Sequence, residues 1–294
     1  MPMSFNQAVI EEFRANGGKV GGPFEGGDLL LLTTTGARSG REHTVPLGYV
    51  RAEGLLLVVA SAAGAPEHPQ WYRNLLAHPV VRVELGTEVF ASVAVPAEGA
   101  RRDRLFEAVV RVAPGYGDYQ AHSERVLPVV ALEQAVAEAE PRAVADLADK
   151  VVQVHTWLRA QLRHVREETE AHFASGAAGD GRPPGLGFQV RQHCLAFCEG
   201  LTHHHTGEDS AIFPALARSH PELRPALERL GEQHREVGRI RDRLVALLSG
   251  IGVADPARFR AELALMSAEL EAHLDQEEAE LLPVLAGIPF PPRR

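Results

Sequence analysis

The chain has 294 residues, of which 45% are hydrophobic and 23% are charged, and these values are typical of a soluble globular protein with two domains. Its net charge of −9 provides no basic surface for nucleic acid and disfavours attraction to anionic lipid. No apolar run approaches the roughly 18 residues that span a bilayer, the N-terminus has no signal-peptide pattern, and the 2 cysteines make no disulfide framework. We therefore expect a cytoplasmic protein without an integral membrane segment.

The N-terminal half predicts a small, β-rich domain. Short apolar and β-branched runs predict six strands, at about 29–35, 43–51, 55–61, 80–85, 88–95 and 125–133. Helices are predicted at about 4–16, 68–78 and 98–113. Because the strands outnumber the helices and pair as neighbours, they predict a mostly antiparallel barrel. A parallel dinucleotide-binding sheet would need regular helical crossovers.

The segment TGARSGREHTVPL, residues 35–47, is the first candidate for chemistry. It places two arginines in a tight turn directly after a buried strand. Guanidinium groups and turn amides bind phosphate together, although two arginines are also common in an ordinary polar hairpin. Downstream, the small residues at 59–62 would let a flat ring approach the backbone. Trp71 and the pair Tyr116 and Tyr119 serve either such a pocket or only the barrel core.

These stretches, in this order, resemble the deazaflavin-dependent nitroreductase and quinone reductase family, whose split β-barrels use coenzyme factor 420. The resemblance covers about residues 5–133 and implies reduced deazaflavin as cofactor and a small-molecule electron acceptor. The cofactor contacts that it implies are Arg38, Ser39, Gly40, His43, Thr44, Val45, Pro46, Leu47, Gly48, Val59, Ala60, Ser61, Ala62, Trp71, Tyr72, Asn74 and Tyr116.

Tyr116 would close this pocket near the substrate, and Tyr116 or Tyr119 is the catalytic candidate, because a phenol can stabilise or protonate a developing oxyanion. Two positions depart from the family. His43 stands where the family commonly has arginine, which weakens one phosphate contact. Gly48 stands where the nitroreductase has a tyrosine near its substrate, so nitroimidazole reduction is not carried over.

Between the halves, residues 133–146 are polar, rich in Ala and Glu, and interrupted by Pro141. We interpret this segment as a partly helical linker at 137–143, between domains at 1–136 and 144–290. The predicted fold class is α+β, with a split β-barrel followed by an up-down-up-down four-helix bundle.

The C-terminal half carries six potential metal ligands at matched heights: His155, His204, Glu208, His234, His273 and Glu277. The midpoint between each successive pair of these histidines falls in a loop-like stretch, at 175–185, 219–223 or 249–256. Two residues that are equally many positions from the turn between two antiparallel helices lie at the same height along those helices. Each glutamate follows a histidine by four residues and therefore shares its helix face.

Apolar residues continue the same faces, so the six side chains are expected to point into the bundle core. Burying so many ionisable groups without a partner is unfavourable, which makes a bound cation the simplest explanation. The alternative is a set of surface histidines in a His-rich chain. The second and fourth helices of such a bundle run the same way, so both glutamates would lie on one side of the histidine layer and could bridge two metals.

Residues 144–287 resemble the hemerythrin-like HHE cation-binding family, whose pattern of His, His-x3-Glu, His and His-x3-Glu matches at all six positions. The resemblance implies two iron ions and a small ligand such as dioxygen, peroxide or nitric oxide. Ligand type alone also permits manganese or zinc. Gly238 stands where oxygen-carrying hemerythrins have a further histidine, so reversible oxygen carriage is a weaker expectation than reaction with a bound ligand.

Other histidines are expected to lie outside this centre. His203 and His205 lie about 100° to either side of His204 around the helix axis, and we expect both on the flanks of the helix. His164, nine residues after the first ligand, is expected on the opposite, solvated face. His193 is interpreted as a hydrogen-bonded core residue.

Two functions remain open on these grounds. The first is an oxidoreductase that transfers hydride from deazaflavin to a quinone-like or nitro acceptor and is fused to a di-iron domain. The second is a sensor of dioxygen or redox state, in which the barrel only binds deazaflavin or flavin mononucleotide. The sequence does not indicate the oligomeric state or the physiological acceptor.

Overall fold

The computed structural model describes residues 5–22, 25–134, 145–176, 187–248 and 255–289. The chain separates into two compact units, Met1–Ala135 and Val136–Arg294. The predicted linker at 137–143 and most of the predicted loops at 175–185 and 249–256 lie outside the described residues. The predicted domain boundaries, 1–136 and 144–290, stay predictions.

The first unit is a closed six-stranded barrel with helices packed on it. Its elements are α1 (Phe5–Ala15), β1 (Leu29–Thr35), β2 (Glu42–Ala52), β3 (Leu55–Val59), α2 (Gln70–Ala77), β4 (Val80–Leu85), β5 (Glu88–Pro96), α3 (Gly99–Val112), α4 (Gly115–Ala121) and β6 (Val129–Gln134). The strands are hydrogen-bonded in the order β1-β2-β3-β6-β5-β4, and the antiparallel pairing of β1 with β4 closes the barrel. The predicted antiparallel barrel is confirmed.

Strand β1 is a continuous apolar run because both of its faces are covered. Alternate side chains of a strand point to opposite sides of the sheet. Leu30 and Leu32 pack with Trp71 of α2 in one cluster, whereas Leu31 packs with Phe13 of α1 in another. A strand that is buried on both faces shows no polar alternation.

Strand β6 begins at Val129, later than the predicted start at Arg125, and the reason lies in the Arg125 side chain. Its guanidinium donates hydrogen bonds to the carbonyl oxygens of Ala60, Ser61 and Ala65, at 2.7 to 2.9 Å. The Arg125 side chain therefore ties the start of this segment to the residues that follow β3, and the Leu127 amide donates to the side chain of Gln120 instead of to a neighbouring strand.

The second unit is a helical bundle. Its elements are α5 (Leu147–Gly176), α6 (Phe188–Gly207), α7 (Phe213–Ser219), α8 (Arg224–Leu248) and α9 (Pro256–Leu285). A π-helical turn over Glu208–Ile212 joins α6 to α7, so the described residues of this unit form four long helices. The predicted turn at 219–223 is confirmed, because α7 ends at Ser219 and α8 begins at Arg224.

Contacts between neighbouring helices show that the four helices alternate in direction. Between α5 and α6, His155 meets His204 and Glu168 meets Gln189, so residue numbers rise on one helix as they fall on the other. Side-chain pairs between α6 and α8 and between α8 and α9 follow the same rule. The bundle is up-down-up-down, as predicted. Every helix in the described part of the chain is too short or too polar to cross a membrane.

An ion pair between α1 and β4 contributes to the stability of the barrel. Arg14 of α1 donates two hydrogen bonds to the Glu84 carboxylate of β4, at 2.8 and 2.5 Å. These hydrogen bonds lower the pKa of Glu84, against the raising effect of burial. A carboxyl whose pKa is lowered on folding stabilises the fold above its unfolded pKa, and this contribution is lost as the pH falls through its folded pKa.

We expect Glu84→Gln to lower the free energy of unfolding of the barrel by about 1 kcal/mol at neutral pH. The variant should also weaken the dependence of barrel stability on pH below about pH 4.3, the unfolded pKa of a glutamate, because the wild-type carboxylate becomes protonated as the pH falls further through its lowered folded pKa. Denaturant unfolding as a function of pH is the measurement, with Glu88→Gln, an exposed carboxyl of β5, as the control. Equal acid dependence in the two variants would contradict this role of the ion pair.

Candidate functional sites

The turn between β1 and β2 is held by its own backbone and by Asn74 of α2. The Gly36 amide donates to the Arg41 carbonyl oxygen, and the Gly40 amide donates to that of Gly36, each at 2.8 Å. The Asn74 side chain accepts from the Ala37 amide at 3.2 Å and donates to a threonine hydroxyl of β1 at 3.1 Å. This buried amide positions the turn, while its predicted cofactor contact stays a prediction.

The same turn presents two arginines to solvent. Arg38 and Arg41 are exposed, and neither guanidinium has a hydrogen bond or ion pair within the described residues. Ser39 Oγ lies 3.5 Å from Nε2 of His43. A Cβ at Gly36 would lie 2.5 Å from Ser39 Oγ, so glycine is needed for this packing. Two guanidinium groups, a hydroxyl and an imidazole on one turn are donors that suit a phosphate group.

The middle of strand β2, from Thr44 to Gly48, is only partly covered, and we refer to this stretch as the β2 groove. Thr44, Val45, Pro46, Leu47 and Gly48 are all half-buried, although β1 and β3 on either side are buried over most of their length. Side chains of a barrel strand normally alternate between buried and exposed positions. Continuous partial exposure therefore indicates that the rest of the unit leaves part of β2 uncovered.

Tyr116 of α4 lies against the middle of β2. Its hydroxyl is 3.2 Å from the point that a Cβ on Gly48 would occupy, so a side chain at that position would displace it. Burial, together with the nearby Tyr119, raises the pKa of Tyr116, and its phenol is protonated at neutral pH. Tyr119 is 41% exposed and packs edge-on against Tyr116, with ring centroids 6.2 Å apart.

The end of β3 offers small side chains near the same strand. Val59 and Ala60 are buried, and Ser61 and Ala62 are half-buried at the start of a 3₁₀ turn. Ala62 and Ala63 have φ values of 48° and 51°, a conformation that costs a residue other than glycine on the order of 1 kcal/mol or more. Strained backbone of this kind is found most often at ligand-binding sites.

Trp71 and Tyr72 belong to the barrel core. Each is 7% exposed, and both pack against residues of β1, β3 and β4. Burial, with a smaller effect of Glu98, raises the pKa of Tyr72 to about 12. Their predicted contact with the cofactor stays a prediction, since the structure assigns both rings to the interior.

A separate cavity of about 650 Å³ opens at the glycine-rich loop. It is lined by residues around 17–20 and 25–29 and meets β2 at Tyr49, but none of the predicted cofactor residues lines it. The β2 groove is the better candidate for the cofactor, because anion donors, a phenol and small side chains converge there. Convergent polar groups, more than volume, characterise a ligand site.

In the second unit, the six predicted metal ligands and one further histidine converge in the bundle core. Their ligand atoms form two groups, and within each group all atoms lie within 4.8 Å of one another: His155, His204, Glu208 and Glu277 in the first, and His205, His234 and His273 in the second. Glu208 lies 3.3 Å from His204 and 3.5 Å from His234. Glu277 lies 3.7 Å from His155 and 3.4 Å from His273. Each carboxylate is thus placed to bridge two cations.

His205 was expected on a helix flank, and this expectation is wrong. Its side chain is 8% exposed, and its ring stacks on that of His234 with centroids 4.0 Å apart. A helix in a bundle has two neighbours, so adjacent residues can each face one of them. On α6, His204 faces His155 of α5, whereas His205 faces His234 of α8. Spacing within a single helix does not reveal this second inward direction.

Three of the histidines are oriented by acceptors outside the two groups. In each pair Nδ1 donates to a side-chain oxygen: His155 to Glu278 at 2.9 Å, His234 to Asp209 at 2.8 Å, and His273 to Gln233 at 3.0 Å. When Nδ1 carries the hydrogen, Nε2 keeps its lone pair for a metal. Arg159 donates to Glu278 at 2.6 Å and holds the first acceptor in place.

The two groups lack the charge compensation that buried ionisable side chains require. Among the described residues, Nε2 of His234 and of His273 and all four oxygens of Glu208 and Glu277 are buried without a hydrogen-bond partner. Burial and the neighbouring Glu277 raise the pKa of Glu208 to about 11. Burial also acts to raise the pKa of Glu277, but His273 and other neighbours lower it to about 2. Burial lowers the pKa of His204 to about 3, so its imidazole is neutral, the form that binds metal.

This arrangement fits two cations. Neutral imidazoles and carboxylates are suitable ligands for iron, manganese or zinc. Positive charge between the groups would allow both carboxyls to ionise, and it would provide a partner for the buried lone pairs.

Comparison with known proteins agrees with this geometry. A family model described as F420H(2)-dependent quinone reductase matches residues 6–134, and one described as Hemerythrin HHE cation binding domain matches residues 146–285. An F420H(2)-dependent quinone reductase of Mycobacterium tuberculosis is 37% identical over 124 residues, which are 41% of this chain and 83% of that protein. A solved F420-H2 dependent reductase is 39% identical and covers 36% of this chain and 94% of its own, with a TM-score of 0.34.

Fold and sites together define an oxidoreductase barrel joined to a cation-binding helical bundle. The chain belongs to the family of F420H(2)-dependent quinone reductases, and its C-terminal unit is a hemerythrin HHE cation-binding domain.

The acceptor of His155 provides a test of the metal centre. We expect Glu278→Gln to weaken metal binding by roughly 10- to 100-fold, because a neutral amide orients and polarises the imidazole less well. The control is Asp275→Asn, since Asp275 accepts from the same Arg159 at 2.8 Å on the exposed side of α9. Competition with a chelator measures the affinity of each variant for iron. Equal affinities in the two variants would show that the contact with His155 has no such role.

Proposed function

We propose that the barrel unit binds reduced deazaflavin over β2 and reduces a quinone-type or nitro acceptor. The observation that carries this proposal is the Tyr116 hydroxyl against Gly48, in a groove that begins at the arginine-bearing turn. Family membership and the 37% identity to a mycobacterial quinone reductase support it.

Each part of the groove has a separate task in this proposal. Arg38, Ser39 and Arg41 bind the phosphate of the cofactor, and Asn74 holds their turn in place. The half-buried residues of β2 and the small side chains at 59–62 contact the ring. These groups orient the cofactor and exclude water from one of its faces.

Tyr116 is the proposed proton donor. The reduced deazaflavin, when bound, supplies a hydride. The acceptor that gains this hydride carries negative charge on oxygen, and the Tyr116 phenol is protonated and close to β2, where it can donate its proton to that oxygen. Tyr119 packs against its ring and is assigned to hold Tyr116 in position.

The experiment is steady-state oxidation of reduced coenzyme factor 420 by menadione. Wild-type protein should turn over, which would exclude the alternative in which the barrel only binds cofactor. Tyr116→Phe should lower kcat by about 100-fold while the dissociation constant of the cofactor stays unchanged. Tyr119→Phe, which keeps the ring contact, should retain most activity. Full activity in Tyr116→Phe would remove the proposed proton transfer, and no turnover by wild type would overturn the proposal itself.

We further propose that the helical unit binds two iron ions and, through them, dioxygen, peroxide or nitric oxide. The three histidines that donate from Nδ1 to outer acceptors carry this proposal. Bound iron supplies the affinity for these small ligands. Seven side chains would hold the pair, with Glu208 and Glu277 between the two ions and His205 added to the second group. His205 would thereby replace the histidine that oxygen-carrying hemerythrins have at the position of Gly238.

His205 and His203 form a matched pair for testing the second ion. We expect His205→Ala to reduce the bound iron from two ions per chain toward one, because the second group keeps only two imidazoles. His203→Ala removes an exposed imidazole from the same helix and should leave two ions bound. Metal analysis after anaerobic reconstitution provides the count. Two irons in both variants would show that His205 is not a ligand.

A further inference from the structure

A third cluster of metal-ligating side chains lies in the helical unit, between α5 and α6. His164 Nε2 is 3.5 Å from Oε1 of Glu168, and His193 Nε2 is 4.0 Å from Oε2 of the same carboxylate. The two imidazole rings pack edge-on with centroids 4.7 Å apart. One ligand atom from each of the three residues lies within 4.8 Å of the other two. His164 was expected on a solvated face and His193 in the core, and the pairing of the two helices brings them together.

This cluster is separate from the candidate iron centre. It shares no residue with the two groups described above. Along α5, His164 is nine residues beyond His155, which corresponds to about 13 Å at 1.5 Å per residue. An ion bound here would therefore have its own ligands.

The surroundings of Glu168 indicate that a positive charge is missing from the cluster. Its Oε1 accepts a hydrogen bond from Gln189 at 2.8 Å, whereas Oε2 is buried and has no hydrogen-bond partner among the described residues. Buried polar atoms without partners are rare in folded proteins, and a buried carboxylate oxygen is the kind that a bound cation satisfies.

The donor set points to a particular class of cation. Two imidazoles and one carboxylate are the protein ligands of many zinc sites that keep a fourth position for water. Donor atoms of a tetrahedral zinc site lie roughly 3.3 to 3.6 Å apart, because each is about 2.0 to 2.2 Å from the metal. The distance from His164 Nε2 to Oε1 of Glu168 is in this range at 3.5 Å, and the distance from His193 Nε2 to Oε2 exceeds it at 4.0 Å, so the carboxylate would turn to present one oxygen to an ion held by both imidazoles. His164 keeps 34% of its side chain exposed, which provides a path for the ion.

We propose that His164, Glu168 and His193 form a second cation site, which binds one zinc ion, or a divalent ion of the same class, with one position open to water. The bound ion would link α5 to α6 at a level where the candidate iron centre makes no contact. Removal of the ion should therefore lower the stability of the bundle without emptying that centre.

The test compares the zinc capacity of full-length variants after removal of metal by a chelator. Equilibrium dialysis against zinc, followed by metal analysis, should show one ion fewer per chain in Glu168→Gln than in wild type. Glu167→Gln changes an exposed neighbour on the same helix and should bind as many ions as wild type. The difference between these two variants is independent of how many zinc ions enter the iron centre.

Cobalt provides a second readout of the same site. Titration with cobalt(II) should produce the visible absorption of a tetrahedral site in wild type and in Glu167→Gln, and this absorption should be lost in Glu168→Gln. Because the buried His193 also contributes to packing, His164→Asn, at a half-exposed position, is the second variant, and it should lose the same ion. Equal zinc counts in wild type, Glu168→Gln and His164→Asn would overturn the proposal, as would an equal loss in Glu167→Gln.

Discussion

The helical unit is organised around one constraint, the burial of five imidazoles and two carboxylates at a single level of the bundle. Burying such groups costs several kcal/mol for each charge that lacks a partner. The acceptors on Nδ1 offset this cost for three of the imidazoles only, and the oxygens of both carboxylates have no hydrogen-bond partner among the described residues. The layer lies between two apolar clusters. Val151, Leu230 and Leu281 belong to the cluster on one side, and Leu158 and Leu270 belong to that on the other. The register of every helix in the unit therefore depends on this polar layer.

In the barrel unit, two glycines make room for neighbouring side chains, Gly36 in the turn after β1 and Gly48 in β2. At each, a Cβ would occupy the space that another side chain uses, Ser39 Oγ in the first case and the Tyr116 hydroxyl in the second. Glycine thus lets Ser39 pack within the turn and lets the hydroxyl of Tyr116 lie directly against β2.

Patterns that repeat along the chain were sufficient to predict most of the fold. Strand β1 and the four long helices have strong local signals, namely a run of apolar residues and a stripe at helical spacing. The six predicted ligands were found because equal heights in antiparallel helices follow from run lengths alone. The prediction of equal heights requires only the direction of each helix and the position of each turn.

Features that depend on which helices are neighbours were not predictable in this way. The inward direction of His205 depends on α8 lying beside α6, and the contact of His164 with His193 depends on the register of α5 against α6. Asn74 likewise reaches a turn that is 37 residues away in the chain, and this contact exists only after the barrel has closed. In all three cases the deciding partner is distant in the sequence, and no local pattern marks it.

The π-helical turn at Glu208–Ile212 has a consequence for the tolerance of this helix to change. A π turn contains one residue more than an α-helical turn of the same rise, so the segments on either side of it differ in angular phase. At the first residue of the turn, the Glu208 carboxylate lies 3.5 Å from His234, and directly after the turn Phe213 stacks on the same imidazole, with ring centroids 5.3 Å apart. Loss of a single residue here would rotate everything beyond by about 100°, whereas substitutions would keep the phase. The length of this stretch is therefore more tightly constrained than the identity of the residues that fill it.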